Sequence, residues 1–292
     1  MNVIPLIIGQ HGGTAIRAQI LEVTTRASLR DALRAGEVTR HRRGVYGLPL
    51  EDDLARVAGA GAVLSHRSAA LHHDLPVLHA PETTEAIISR SRSIQVPDDL
   101  DLRFRALSGS DHDRVATSPM RTVVDCARDL PLPEALAVAD SALRAGVITP
   151  EELTRAALPR THRAAARRVL DLASARAANP FESGLRALAL EATDHTWSPQ
   201  LPVTLRNGTV LHADVGCAEV RVLLEADSHE FHKSRGDVMR DCHRYNEMII
   251  AGWIVLRFAW EHVMFHPQWC REVIAWVVRQ RQGVSRGSSR SA

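Results

Sequence analysis

Apolar and polar positions alternate at two different periods along this chain, and the changes of period divide it. Between residues 14 and 35 the spacing is helical with a break: Ala15, Ile16, Ile20 and Leu21 on one predicted helix, Leu29, Ala32 and Leu33 on a second. Ser28 is placed to cap the second helix and Gly36 to end it. Residues 37–48 read as two short strands around a basic turn. Further on, 85–88 and 102–106 read as strands, and 122–129 and 132–145 as helices, the latter closed by Gly146. The run 160–178, rich in Ala and Arg, predicts an exposed helix that joins two halves.

The pattern then changes. Asn179, Pro180 and Glu182 form a helix start, with Asn as N-cap, Pro at the first position and an acid at the third. Residues 200–206 and 209–215 flank Asn207-Gly208, a strong hairpin signal. A third strand over 220–227 follows, then a polar loop, a helix over 237–251 stopped by Gly252, and a strand over 253–258. Pro267 opens a terminal helix, whose Trp269, Val273, Trp276 and Val277 share the stripe expected to cover the sheet. The tail, 283–292, has a Ser/Gly/Arg-rich composition that predicts disorder.

Three acids, Asp214, Glu225 and Asp227, fall on or at the ends of neighbouring predicted strands, where a core would take apolar residues. Side chains alternate along a strand, so Glu225 and Asp227 share a face about 7 Å apart, and the antiparallel hairpin brings Asp214 beside them. Such an oxygen set suits a hard divalent cation. Glu182 has two readings, as a capping residue and as a fourth acid of that site. His66, His72 and His73 lack a carboxylate or cysteine at ligand spacing and read as core or capping residues.

Composition adds little to this. Net charge is +2 over 292 residues, which neither demands nor excludes nucleic acid. Lys233 is the single lysine, so arginine abundance reflects overall composition and one arginine means little. The local excess over residues 14–48 is more telling: Arg17, Arg26, Arg30, Arg34, Arg40, Arg42 and Arg43 stand against Glu22, Asp31 and Glu37. The order helix, helix, β-wing is that of a winged helix-turn-helix. Four scattered cysteines without CxxC spacing argue against a zinc framework or disulfides and fit a reduced interior. No run reaches the length of a membrane helix and the N-terminus lacks a basic leader, so a cytoplasmic location without membrane attachment is expected.

Two resemblances sharpen these readings. Arg43-Gly44-Val45-Tyr46 and Leu64-Ser65-His66-Arg67-Ser68-Ala69-Ala70-Leu71-His72, together with segments around residues 120–128 and 135–146, resemble the antitoxins of AbiEi type in type IV toxin-antitoxin systems. His73 replaces the glycine usual there. From Phe181 to about Val278 the chain resembles the DUF559 family, relatives of the very-short-patch-repair endonucleases in the PD-(D/E)xK restriction endonuclease-like superfamily. The residues carrying this are Glu182, Asp214, Glu225-Ala226-Asp227, His232, Arg240-Asp241 through Asn246, and Gly252-Trp253 through Phe258. Asp227 stands at the superfamily's lysine position, and Ser228 at a glycine.

The resulting expectation is an α+β multidomain protein. It comprises a winged helix-turn-helix over 1–50, an antitoxin-like α+β middle domain over 51–160, a helical connector over 161–178 and a nuclease domain of restriction endonuclease-like αβββαβ core over 179–282. The resemblance implies an endonuclease or nickase using Mg2+ (or Mn2+) held by Asp214, Glu225 and Asp227. Glu182 joins the catalytic set, and His229 or His232 supplies a base. Arg30, Arg34, Arg40, Arg42 and Arg43 would contact DNA through the wing, and Arg240 and Arg244 would contact it beside the acids. The other reading is a DNA-binding regulator of antitoxin class whose nuclease-like domain is a weakly active or inactive scaffold. A toxin partner and a homodimer are both compatible with the sequence.

Overall fold

A computed structural model of the chain describes residues 4, 7, 8, 14–47, 52–90, 100–113, 115–227 and 235–288. It is a mixed α and β protein whose contacts divide it into two units, residues 1–75 with 79–126 and residues 76–78 with 127–292.

The first unit begins with β1 (Thr14–Ile16), α1 (Arg17–Val23), α2 (Arg26–Arg34), β2 (Thr39–Arg42) and β3 (Val45–Gly47). The strands form one antiparallel sheet in the order β1-β3-β2, with a register shift at Arg40/Arg42. Two expectations are corrected here. Ala15 and Ile16 belong to a strand, because β3 offers an edge on which Ala15 pairs with Tyr46 and Ile16 with Val45. Thr25, not Ser28, caps α2: its Oγ1 accepts the Ser28 amide at 3.1 Å, since the chain turns one residue after Thr24. Gly36, at φ +70°, ends the helix as expected. Ala15, Ile20, Leu29, Ala32, Val38 and Tyr46 pack into a small core with Ile4 and Ile8.

The rest of this unit holds α3 (Asp52–Ala60), β4 (Val63–Leu64), α4 (His66–His72), β5 (Thr84–Ser89), β6 (Leu100–Arg105) and most of α5 (Pro119–Asp129). Strand order is β4-β5-β6, with β5 and β6 parallel. Buried Glu85 receives the Arg67 amide at 2.7 Å and its guanidinium at 3.0 Å, so the charge is paired. His66 is buried against Ser65 Oγ at 2.9 Å, and His73 Nε2 meets the Thr117 carbonyl at 2.7 Å.

The second unit contains α6 (Leu132–Arg144), α7 (Pro150–Arg155), α8 (Arg163–Leu172), α9 (Pro180–Ala192), β7 (Ser198–Thr204), β8 (Val210–Cys217), β9 (Val222–Asp227), α10 (Arg235–Ile250), β10 (Ile254–Ala259), α11 (Trp260–Phe265) and α12 (Pro267–Ser288). The predicted connector is helical, but it is not simply exposed: α8 buries Ala166, Val169 and Leu170 and packs on α6. A buried ion pair joins α6 to α9, Arg186 Nη2 lying 3.0 Å from Asp140 Oδ2.

The sheet runs β10-β9-β8-β7, antiparallel except for the β9–β10 pair. Pro199 and Pro202 suit β7 to its edge position, since neither can donate to a second neighbour. One core cluster joins Phe181, Leu185 and Leu188 of α9 to Val215, Val222 and Leu224 of the sheet and Ile274 of α12. The other joins Val203, Leu223 and Met248, so α10 covers the opposite face. The stripe expected on α12 is shifted. Cys270, Ile274, Val277 and Val278 are buried, whereas Trp269 and Trp276 are 45% and 57% exposed, because close packing of α12 on α9 admits the smaller side chains. The helix itself runs on to Ser288, through most of the tail expected to be disordered; residues 289–292 lie outside the described ones. Among the described residues no helix is long and apolar enough to cross a membrane.

Candidate active site

β8 and β9 begin as an ordinary ladder, Cys217 opposite Val222 and Val215 opposite Leu224, and then pairing stops although both strands continue. At the break, a carboxylate of β8 takes an amide of β9: Asp214 Oδ2 accepts the Ala226 N–H at 2.8 Å. A backbone donor at the divergence is therefore satisfied by an acid side chain.

β7 is irregular at the same level. Gln200 lies between the paired residues Pro199 and Leu201, opposite Asp214 in register, and has φ +50°. Left-handed backbone is costly for a non-glycine residue, and here it turns the Gln200 amide toward two acids. Its Nε2 donates to Glu182 Oε2 at 2.9 Å, and the same side chain, near Asp214, draws that carboxyl downward. Gln200 was missed by sequence reasoning, because strand alternation marks a face and cannot announce a backbone inversion.

Glu182 takes part in the cap of α9. The Asn179 side chain accepts the Glu182 amide at 3.0 Å, capping α9, while the Glu182 carboxylate accepts the Ala178 amide at 2.9 Å and Asn179 Nδ2 at 3.0 Å. Through Gln200 the same carboxylate joins Asp214.

Electrostatics follow from burial. Glu225 is 2% exposed, and loss of hydration together with the nearby Asp214 charge pushes its carboxyl up to about 8, against the opposing pull of Arg244. Burial also raises Asp214, tempered by the Ala226 amide and Arg244, and raises Glu182, whose rise Asp214 reinforces. Tyr245 is raised by burial and then by Glu225.

Two arginines face this acidity. Arg244 Nη1 lies 2.9 Å from Glu225 Oε2, and its Nη2 donates to the His212 carbonyl at 2.6 Å. Arg257 is ion-paired to Asp227 and stacks on the Tyr245 ring, 4.4 Å from its centroid. Arg244 is thus turned inward onto Glu225, while Asp237 pairs with Arg240, and Glu247 with Arg206 at 3.0 Å. Arg257 and Tyr245, which lie within the family-resembling segments but were given no role from sequence, join the cluster. The carboxylates of Asp214, Glu225 and Asp227 do not all come within 4.8 Å of one another; among the described residues the trio that does is His195, Cys217 and Glu219.

Of the other site residues expected from sequence, His229 and His232 lie outside the described residues, as does the side chain of Arg42. Arg30, Arg34, Arg40 and Arg43 are exposed, Arg34 beside Asp31 at 3.8 Å. Arg26, Arg30 and Arg34 recur every four residues along α2 and so share a face. Arg240 is exposed at the start of α10.

The donor chemistry of the carboxylate cluster fits a hard divalent cation. Its oxygens are partly or fully desolvated, and burial, then the Asp214 charge, raises the Glu225 carboxyl to about 8. Arg244 partly offsets that rise.

No family profile matches the chain. It is similar to two proteins of Mycobacterium tuberculosis, the uncharacterized protein MT2308 of strain CDC 1551 / Oshkosh and the uncharacterized protein Rv2248 of strain ATCC 25618 / H37Rv. Each is 27% identical over 256 residues, covering 83% of this chain and 93% of the relative. Among solved structures, the RV2827C protein of Mycobacterium tuberculosis aligns with 69% of this chain and 87% of its own at 17% identity, with a TM-score of 0.31.

Proposed function

We propose that the protein is a divalent-metal-dependent DNA endonuclease or nickase whose chemistry resides at Asp214, Glu225 and Asp227. The observation that carries this reading is the divergence of β8 and β9, which sets two desolvated carboxylates in the gap with Glu182 and Gln200 behind them. The succession of α9, β7, β8, β9, α10 and β10 agrees with a restriction endonuclease-like core, and the α1–α2–β2–β3 order agrees with a winged helix-turn-helix.

Asp214, Glu225 and Asp227 would hold Mg2+ or Mn2+, which when bound stabilises charge on the transferring phosphate and acidifies a water. This chain's own residues do the rest. Gln200 and the Ala226 amide fix the Asp214 carboxylate, while Glu182 anchors Gln200. Arg244, once Glu225 is neutralised by another cation, is free to turn its guanidinium to a phosphate oxygen. Exposed arginines of the first unit supply affinity for the duplex backbone.

The second reading, a DNA-binding regulator of antitoxin class, is favoured by one observation. Arg244 and Arg257 already neutralise two of the acids, as a retained scaffold would require. Cytoplasmic location, a toxin partner and a homodimer belong with these proposals.

Incubating the full chain with supercoiled plasmid in Mg2+, Mn2+ or EDTA tests them, with Asp214→Asn as control. Metal-dependent nicking lost in the variant, with DNA affinity retained, supports the enzyme. A salt-sensitive gel shift without nicking supports the regulator.

A further inference from the structure

A second cluster of ligating side chains lies at the other end of β8. His195, in the loop between α9 and β7, meets Cys217, the last residue of β8, and Glu219, in the turn leading to β9; their ligand atoms all lie within 4.8 Å of one another. Cys217 is three residues from Asp214 along the strand, about 10 Å at strand rise, so this cluster is separate from the carboxylates above.

We propose that His195, Cys217 and Glu219 bind a zinc ion that clamps the α9–β7 loop to the β8–β9 turn. One thiolate, one imidazole and one carboxylate make a borderline-soft set of three, which suits zinc in tetrahedral coordination and not magnesium or calcium, and leaves a fourth position for water. Each ligand is prepared. Cys217 is buried at the end of β8, beside the turn that carries Glu219. His195 Nδ1 lies 2.6 Å from Glu219 Oε2, so these two donors face one point. Its other nitrogen, Nε2, is held 2.8 Å from the side-chain amide of Gln282 on α12.

That last contact sets the imidazole's proton. With the Gln282 amide oxygen turned to the ring, Nε2–H donates to it and the Nδ1 lone pair is free for the metal, the arrangement in which ligating histidines are usually held. With the nitrogen turned to it, Nδ1–H donates to Glu219, which is the metal-free state. Zinc here would take Nδ1 as its ligand atom and displace the Cys217 thiol proton to solvent. Glu219, whose side chain is 57% exposed, provides the entry path.

The test uses the full chain stripped with a chelator and reloaded with Zn2+ or Co2+. The result expected is one Zn2+ per chain, and, with Co2+, an ultraviolet thiolate-to-metal charge-transfer band that Zn2+ abolishes by competition. Cys217→Ser removes the band. Because that side chain is in the core, two exposed variants accompany it: Glu219→Gln and Gln282→Ala each weaken Zn2+ binding about 10-fold or more without unfolding the chain. Asp214→Asn leaves the band unchanged. The proposal is overturned by absence of the band in the wild type, by its persistence in Cys217→Ser, or by unaltered Zn2+ affinity in both Glu219→Gln and Gln282→Ala.

Discussion

Replacing Glu225 by Gln should flatten the pH dependence of the second unit's stability. The Glu225 carboxyl sits near 4.5 in an unfolded chain and at about 8 in the folded one. Between those values the folded protein keeps a proton that the unfolded chain has lost. Stability associated with this group is therefore complete below 4.5 and is lost as pH rises through 8. A rise from 4.5 to about 8 corresponds to about 5 kcal/mol at 1.36 kcal/mol per decade of acidity, an order-of-magnitude ceiling. All five tryptophans lie in the second unit, so tryptophan fluorescence during urea unfolding reports on that unit alone. Measured without divalent cations at pH 5.5 and 8.5, the wild type should lose several kcal/mol at the higher pH, and Glu225→Gln markedly less. Mg2+ should restore part of the wild-type loss, more at pH 8.5 than at pH 5.5, since it binds the ionised form and stabilises by mass action. Parallel pH profiles for the two proteins, with no Mg2+ effect on either, would refute the reasoning.

Other perturbations probe the surrounding frame. A Cβ at Gly216 would lie 2.4 Å from Leu201 Cδ2 and 2.9 Å from Leu223 Cδ2, so Gly216→Ala should cost about 1–3 kcal/mol in the same urea assay; a neutral result would show that the two leucines yield freely. Asp140→Ala leaves the buried Arg186 guanidinium without its carboxylate and should cost about 3–5 kcal/mol, with Arg186→Met in the same background recovering much of it. Changing exposed Arg40 and Arg43 to Ala should weaken DNA binding and reduce the salt slope by about 1 per lost phosphate contact; an unchanged slope would remove the wing from the interface.

What the sequence disclosed and what it hid differ in kind. Elements whose ends carry their own chemistry were legible: Asn179 as cap, Gly36, Gly146 and Gly252 at positive φ closing helices, and Asn207-Gly208 turning β7 into β8. The α12 stripe was misread because Trp269 and Trp276 satisfy the helical period almost as well as Cys270 and Ile274. Which stripe turns inward depends on how near α9 approaches, a tertiary quantity. The first strand was misread for a similar reason. Thr14–Ile16 has no signal of its own, and its conformation is set by the edge of β3, remote in sequence.

The acids at the sheet centre were legible as anomalies, yet the device that organises them was not. A continuous ladder would leave the Asp214 carboxylate to water or to a costly dry burial. With the ladder broken beyond Val215 and Leu224, the Ala226 amide serves that carboxylate instead. The same break costs the sheet its pairing at that level, and β7 responds with the inverted Gln200, whose amide ties Asp214 to the α9 cap through Glu182. Helix start, strand inversion and ladder break thus act on one another. It follows that Gln200→Ala should disturb more than one hydrogen bond, lowering the stability of the second unit by about 1–3 kcal/mol and shifting the Asp214 and Glu182 titrations upward together. If carboxyl-resolved NMR titration showed only one of the two acids moving, the linkage between cap and site would be broken, and Gln200 would be a local hydrogen-bond partner of that acid alone.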